Sequence, residues 1–170
     1  NGAGKGNLII WSGTFAMGGF SDTINGLEGN GTIDGNGATL TVGDNNTTST
    51  FSGIIKNTTG NLSLTKTGNG TLTLSGNNTH TGATTVNAGT LSVVANSGTG
   101  RIRGVLTVNS GATLSFGNND IFGNHAADYT DDVTLYVSHG SGILNPISVD
   151  MGTGFGNGAY QGAWRGNIQI

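Results

Sequence analysis

The sequence predicts an all-β solenoid, a single domain over residues 1–170 built from about seven stacked coils of short strands. Three observations lead there: runs that alternate apolar and hydroxyl-bearing residues, Gly or Asn at the ends of those runs, and a phrase that returns at a nearly fixed spacing. The alternating runs are NLIIW (7–11), ATLTV (38–42), LSLTKT (62–67), TLTL (71–74), TLSVV (90–94), VLTV (105–108), TLSF (113–116) and VTLYV (133–137). Period-two alternation puts Leu, Ile and Val on one face and Thr or Ser on the other. Leu40, Val42, Leu72, Leu74, Leu91, Val93, Leu114 and Phe116 are expected to point inward, with Thr39, Thr41, Thr73 and Thr90 outward.

The repeat is legible directly. VNAGTLSV at 86–93 returns as VNSGATLSF at 108–116, the same phrase with one residue inserted. Leu114 follows Leu91 by 23 residues, and Leu62 follows Leu40 by 22. A period of about 20–25 residues holding only strands and turns is the signature of a solenoid. Each coil would bury a narrow apolar interior while its strands hydrogen-bond the coils above and below. At about 4.8 Å per coil, seven coils would make a rod some 35 Å long.

Composition agrees. The 170 residues include 33 Gly, one Pro and no Cys, and only 9% are charged. Gly recurs too often for helices, since each interior Gly costs about 1 kcal/mol relative to Ala. The longest Gly-free run, 124–139, admits at most one short helical turn, around Ala126 to Asp132. Disordered chains are usually rich in Pro and charge, and this one is neither. Thr, Ser and Asn keep it soluble in place of charge.

The same figures restrict function. Six Lys and Arg against nine Asp and Glu, a net charge of −3, argue against nucleic acid as a partner, because phosphate binding needs a cationic patch. No run approaches the roughly 18 apolar residues of a membrane helix, so no membrane insertion of this segment is expected. Asn1 opens the chain without Met or a signal-peptide pattern, which reads as a processed or excised segment.

The stretch LTKTGNGTLTLSGNNTHTGATTVNAGTLSV, residues 64–93, closely resembles the autotransporter-associated β-strand repeat, also called the passenger-associated transport repeat, of bacterial surface proteins. TLTVGDNNTTSTFSGII (39–55) is similar to the segment that usually precedes this repeat, and NNDIFGNH (118–125) to a phrase that often follows it. The resemblance covers about Gly31 to His125, a repeat core flanked by aromatic-rich ends at 1–30 and 126–170. His80 stands where Tyr is common and Ala83 where Gly is common. The resemblance implies a right-handed parallel β-helix in an exported passenger, located at the cell surface or outside the cell. It implies a role in export and structure, with no catalytic residues and no cofactor.

β-Helices also host polysaccharide lyases and hydrolases, so the acids need weighing. Asp120, Asp128, Asp131 and Asp132, with His125 among them, form the best acidic cluster and a weak Ca²⁺ candidate. They read first as solvated loop carboxylates. A lyase would want a basic residue nearby, and no Lys or Arg falls between Arg103 and Arg165. GNGTIDGNG (29–37) partly matches a Gly- and Asp-rich Ca²⁺-binding nonapeptide, but Asp34 is displaced by one position and the copy is single. GTGFGNG (152–158) lacks the following helix that a phosphate loop requires. His80 and His139 read as exposed turn or face positions.

The aromatics gather at the ends: Trp11, Phe15 and Phe20 near the start, and Phe155, Tyr160 and Trp164 near the finish. They suggest end caps, a self-association surface, or rings on which a sugar stacks. Neither LIIW (8–11) nor NIQI (167–170) resembles a polar cap, and an uncapped coil exposes unpaired strand edges. If the parent chain is not simply longer, head-to-tail stacking into a filament is expected, with the six aromatics at the junction. The functional expectation is a non-enzymatic structural or adhesive segment, with self-association and a host or surface glycan as its possible partners. The alternatives are a carbohydrate-active β-helix enzyme or a carbohydrate-binding module.

Overall fold

A computed structural model describes residues 5–94 and 102–116, together with the strands at 135–137, 149–150 and 168–169. The first coil comprises β1 (Leu8–Ile10), β2 (Thr14–Ala16) and β3 (Asp22–Ile24), and the second β4 (Leu27–Gly29), β5 (Thr32–Asp34) and β6 (Thr39–Val42). The third holds β7 (Ser49–Phe51), β8 (Ile54–Lys56) and β9 (Ser63–Lys66). From the fourth coil on, the strands among the described residues lie on two faces: β10 (Thr71–Leu74) with β11 (Thr84–Val86), then β12 (Thr90–Val93) with β13 (Leu106–Val108). Further strands are β14 (Thr113–Phe116), β15 (Leu135–Val137), β16 (Val149–Asp150) and β17 (Ile168–Gln169).

Every strand pairing is parallel. One sheet runs β1-β4-β7-β10-β12-β14-β16, a second β17-β15-β13-β11-β9-β6-β3, and a third, of three strands, β2-β5-β8. This is a parallel β-solenoid, and the described residues make about five turns of it, fewer than the seven coils expected of the whole chain. No helix occurs among the described residues. The helical turn expected around Ala126 to Asp132 lies outside them.

The interior is a set of in-register ladders. Leu72, Leu91 and Leu114 stack directly on one another, as do Leu40 and Leu64. Leu40, Val42, Leu72, Leu74, Leu91, Val93 and Leu114 are all buried, while Thr39, Thr41, Thr73 and Thr90 on the outward face are partly exposed. The Phe116 side chain lies outside the described residues. The 23-residue step from Leu91 to Leu114 is the true register. The step from Leu40 to Leu62 is not: Leu40 pairs with Leu64, and Leu62 packs beneath the corner at Gly35, where an added Cβ would come within 2.5 Å of it.

Glycine sets how closely the corners can stack. A Cβ at Gly53 would meet the Gly31 carbonyl oxygen at 1.9 Å, and one at Gly76 would meet that of Gly53 at 1.8 Å. At a second corner Gly43, Gly68 and Gly89 stack in the same way, all with positive φ. Asn side chains bridge the exposed corners. Asn46 Oδ1 accepts from the Asn69 amide at 2.8 Å, and Asn109 Nδ2 donates to Asn87 Oδ1 at 2.6 Å.

Candidate functional site

Polar residues inside the apolar core, and aromatic residues outside it, are where this chain departs from a plain stack. The interior ladder Val42–Lys66–Val86–Val108 contains a lysine. Period-two phase carries Lys66 inward behind Leu62 and Leu64, and its side chain is fully buried, at 0% exposure. Its stem packs among the valines while Nζ reaches the glycine corner. There it donates to the carbonyl oxygens of Thr67 (2.7 Å), Gly68 (2.7 Å) and Ala88 (3.2 Å). Burial pulls its pKa below the ordinary lysine value. Three simultaneous donations need three N–H groups, so the carbonyl cage holds the ammonium form.

One coil on, the third face loses its strand; the Thr79 and His80 amides still donate to the Ile55 carbonyl, but a side chain takes the Ile55 amide. Asn78 Oδ1 accepts from the Ile55 amide at 2.9 Å, and Asn78 Nδ2 donates to the Gly76 carbonyl at 3.3 Å. His80, two residues further, also points inward and is 1% exposed. This corrects the expectation of an exposed turn residue, and its cause is the inward phase that His80 shares with Asn78. Nε2 lies 3.2 Å from Oγ1 of Thr84, a residue that interrupts the ladder between Leu64 and Leu106. Nδ1 is buried with no hydrogen-bond partner.

Burial, reinforced by the charge of Arg103, pushes the His80 pKa down to about 4. The imidazole is neutral at pH 7. In the unfolded chain it takes up a proton near pH 6.5, and in the folded chain only near 4. The unfolded state thus binds more protons between those values, and stability falls as pH drops through that window. The expected loss is about 3 kcal/mol by pH 4. Urea titrations at pH 7 and pH 4.5 measure it. The His80→Gln variant, which keeps a donor for Thr84 but does not titrate, should flatten the dependence. An equally steep fall in that variant would place the acid sensitivity elsewhere.

Of the acids weighed in the sequence, Asp34 is committed to the wall. Its Oδ1 accepts from the Thr58 amide at 2.8 Å, and its Oδ2 pairs with Lys56 Nζ at 3.3 Å and accepts from the Thr58 hydroxyl. The hydroxyl bond first, then the amide and Lys56, hold its pKa below the ordinary carboxylate value. Among the described residues no three His, Asp or Glu side chains converge as a metal site would require. Asp120, His125, Asp128, Asp131, Asp132 and His139 lie outside the described residues, as do Phe155, Tyr160 and Trp164.

The N-terminal aromatics divide. Trp11 is 70% exposed and Phe20 79%. Phe15 is instead half-buried against the core, because β2 turns it inward beside Ile33 of β5. Trp11 overhangs an open groove of about 380 Å³, lined by Glu28, Gly29, Thr48, Ser49, Thr50 and Ser52 from the second and third coils. Among the described residues, the first coil forms one edge of each of the three sheets.

These features define a parallel β-solenoid with polar side chains in its interior and two exposed aromatic residues on its first coil. Residues 64–93 match the family model of the passenger-associated-transport-repeat, so the chain carries one such repeat, running from β9 to β12. Repeats of this family belong to autotransporter passengers, which are secreted or exposed at the bacterial surface. Searches of curated proteins and of solved structures return no match. Lys66, Asn78, His80 and Thr84 all fall within the matched residues.

Proposed function

We propose that the chain is a non-enzymatic structural segment of an exported bacterial passenger, a right-handed stalk that holds its neighbours away from the cell. The observation that carries this reading is the coincidence of the passenger repeat with the continuous interior ladder: residues 64–93 run from β9 to β12, a little more than one turn of the stack, so that β9 pairs with β11 and β10 with β12 inside the match. A stack of this kind lengthens by about 4.8 Å per coil, and its outward faces are dominated by uncharged Thr, Ser and Asn. Antibodies raised against the purified chain should label intact cells of the source bacterium, and external protease should remove the label. Labelling only after lysis would contradict the proposal.

Absence of catalysis is tested separately. Purified protein should release no sugar from pectin or alginate, and Asp128→Asn with Asp131→Asn should alter ion binding at most. Sugar release that disappears in that double variant would establish the enzyme alternative.

If no coil precedes the first, its edge favours an additional property, head-to-tail stacking. β1, β2 and β3 each have a strand neighbour on one side only among the described residues, and Phe20 stands exposed beside them. Unpaired edges of this kind attract another strand layer, either a preceding coil or a second copy. Because such a contact does not close, copies would form a fibre. Sedimentation and electron microscopy should reveal it, and a monodisperse monomer at high concentration would exclude it.

A further inference from the structure

The first three coils carry a feature that a bare stalk does not need. Trp11 stands on the corner after β1 with most of its indole in water, which leaves a large apolar ring unshielded beside a wall of hydroxyl-bearing residues. The wall beside it is chemically different. Glu28 sits one coil up, its Oε1 accepting from Asn7 Nδ2 at 3.3 Å. One coil further, Thr48, Thr50 and Ser52 alternate along β7 and its flanks, all exposed.

Their hydrogen bonds decide what each has left to offer. Ser52 Oγ donates to the Gly29 carbonyl at 3.1 Å, and Thr48 Oγ1 accepts from the Thr71 amide at 3.1 Å. These two are therefore fixed in direction, with Thr48 keeping its proton and Ser52 its lone pairs. Thr50 makes no side-chain hydrogen bond among the described residues, which leaves both its donor and its acceptor to a ligand. Buried Ser49 holds the Leu27 amide at 3.0 Å and so keeps the wall rigid. Gly29 lets the second coil press onto the first, where a Cβ would meet the Ile10 carbonyl oxygen at 2.1 Å.

We infer that this groove binds a glycan, with one sugar ring stacked on Trp11 and its hydroxyls bonded to Glu28, Thr48, Thr50 and Ser52. A sugar ring has an apolar C–H face and a rim of hydroxyls that both donate and accept. The negative face of an indole attracts polarised C–H groups. Glu28 accepts sugar hydroxyls through charge-assisted bonds, and the row along β7 supplies a donor at Thr48, both a donor and an acceptor at Thr50, and an acceptor at Ser52. At about 380 Å³ the groove falls at the lower end of the range for small-ligand sites, about 300–1,000 Å³. A cationic ligand would use the ring and the carboxylate but not the hydroxyl row. A second protein copy would be expected to cover Phe20 and the first-coil edge, not a wall two coils away.

The inference goes beyond the stalk reading and does not depend on it. Only two tryptophans are present, so the Trp164→Phe variant leaves Trp11 as the sole indole reporter. If that variant fails to fold, the difference between the native chain and Trp11→Phe reads the same signal. The probes are cellotetraose and N-acetylchitotetraose in solution, followed by a printed array of neutral and acidic glycans. Saturable change in Trp11 emission is expected with at least one glycan. Trp11→Ala should abolish binding and Glu28→Gln should weaken it about tenfold or more, both with unchanged thermal midpoints. A silent array overturns the inference. So does an emission change that choline chloride produces as well as any glycan, or one that protein concentration produces with no glycan present.

Discussion

Replacing Lys66 by Ala is expected to destabilise the solenoid by about 3–5 kcal/mol, from the buried carbonyl acceptors it leaves without a donor and the cavity left by its stem. Two opposed effects must be compared. Burying an ammonium is costly, and replacing a buried charge with a hydrophobe of similar size can stabilise a protein. Here, however, the partners are backbone carbonyls of the Thr67–Gly68 corner and of Ala88, which no side-chain substitution can remove. Each buried acceptor left without a donor costs about 1–3 kcal/mol. Lys66→Met separates the effects, since it keeps the packing among Val42, Val86 and Val108 and loses only the donors. The expected order of stability is native, then Met, then Ala, read from urea midpoints at pH 7. A Met variant as stable as the native chain would mean that the ammonium contributes nothing net.

Leu91→Ala tests the apolar part of the same interior, and about 2–5 kcal/mol is expected to be lost. Leu91 is fully buried between Leu72 and Leu114, so truncation opens a cavity that neighbouring coils, held by their own ladder bonds, close only in part. Stability in a stacked protein is approximately a sum over coils and the interfaces between them. A weak coil at this point should therefore also broaden the transition, as coils on either side begin to melt separately. Ser92→Ala, one residue on and facing outward, should stay within about 0.5 kcal/mol of the native chain. Equal losses at the two positions would contradict the inward assignment of Leu91.

The parts of the fold that the sequence revealed are those with strong alternation. Thr71–Leu74, Thr90–Val93 and Thr113–Phe116 fall where period two places them. Strands such as Leu27–Gly29 and Asp22–Ile24 were not legible, because three residues that include Gly or Asp give no periodic signal and are held by the coils around them. Lys66 could have been found: LSLTK keeps the phase of Leu62 and Leu64, and only the habit of treating lysine as a surface residue hides it. His80 is harder. It belongs to no strand, and its inward turn follows from Asn78 replacing a ladder bond, which only the structure displays. The sequence groups Trp11, Phe15 and Phe20 as end aromatics and does not separate the half-buried Phe15 from the exposed pair, because burial on a three-residue strand depends on the coil above.

The claim on which the rest depends is coil-on-coil register, and disulfide trapping tests it most directly because the chain has no cysteine of its own. Thr73 and Ser92 face outward as direct partners on β10 and β12. Neighbouring strands lie about 4.8 Å apart, within the Cα separation of about 4.4–6.8 Å that a disulfide spans. Thr73 and Thr90 are one pleat out of register, about 8 Å apart and beyond that reach. The Thr73→Cys/Ser92→Cys variant should oxidise readily to an intramolecular disulfide while Thr73→Cys/Thr90→Cys stays reduced, as read by thiol labelling and mass spectrometry. The reverse pattern, or no preference between the two pairs, would contradict the parallel in-register stack.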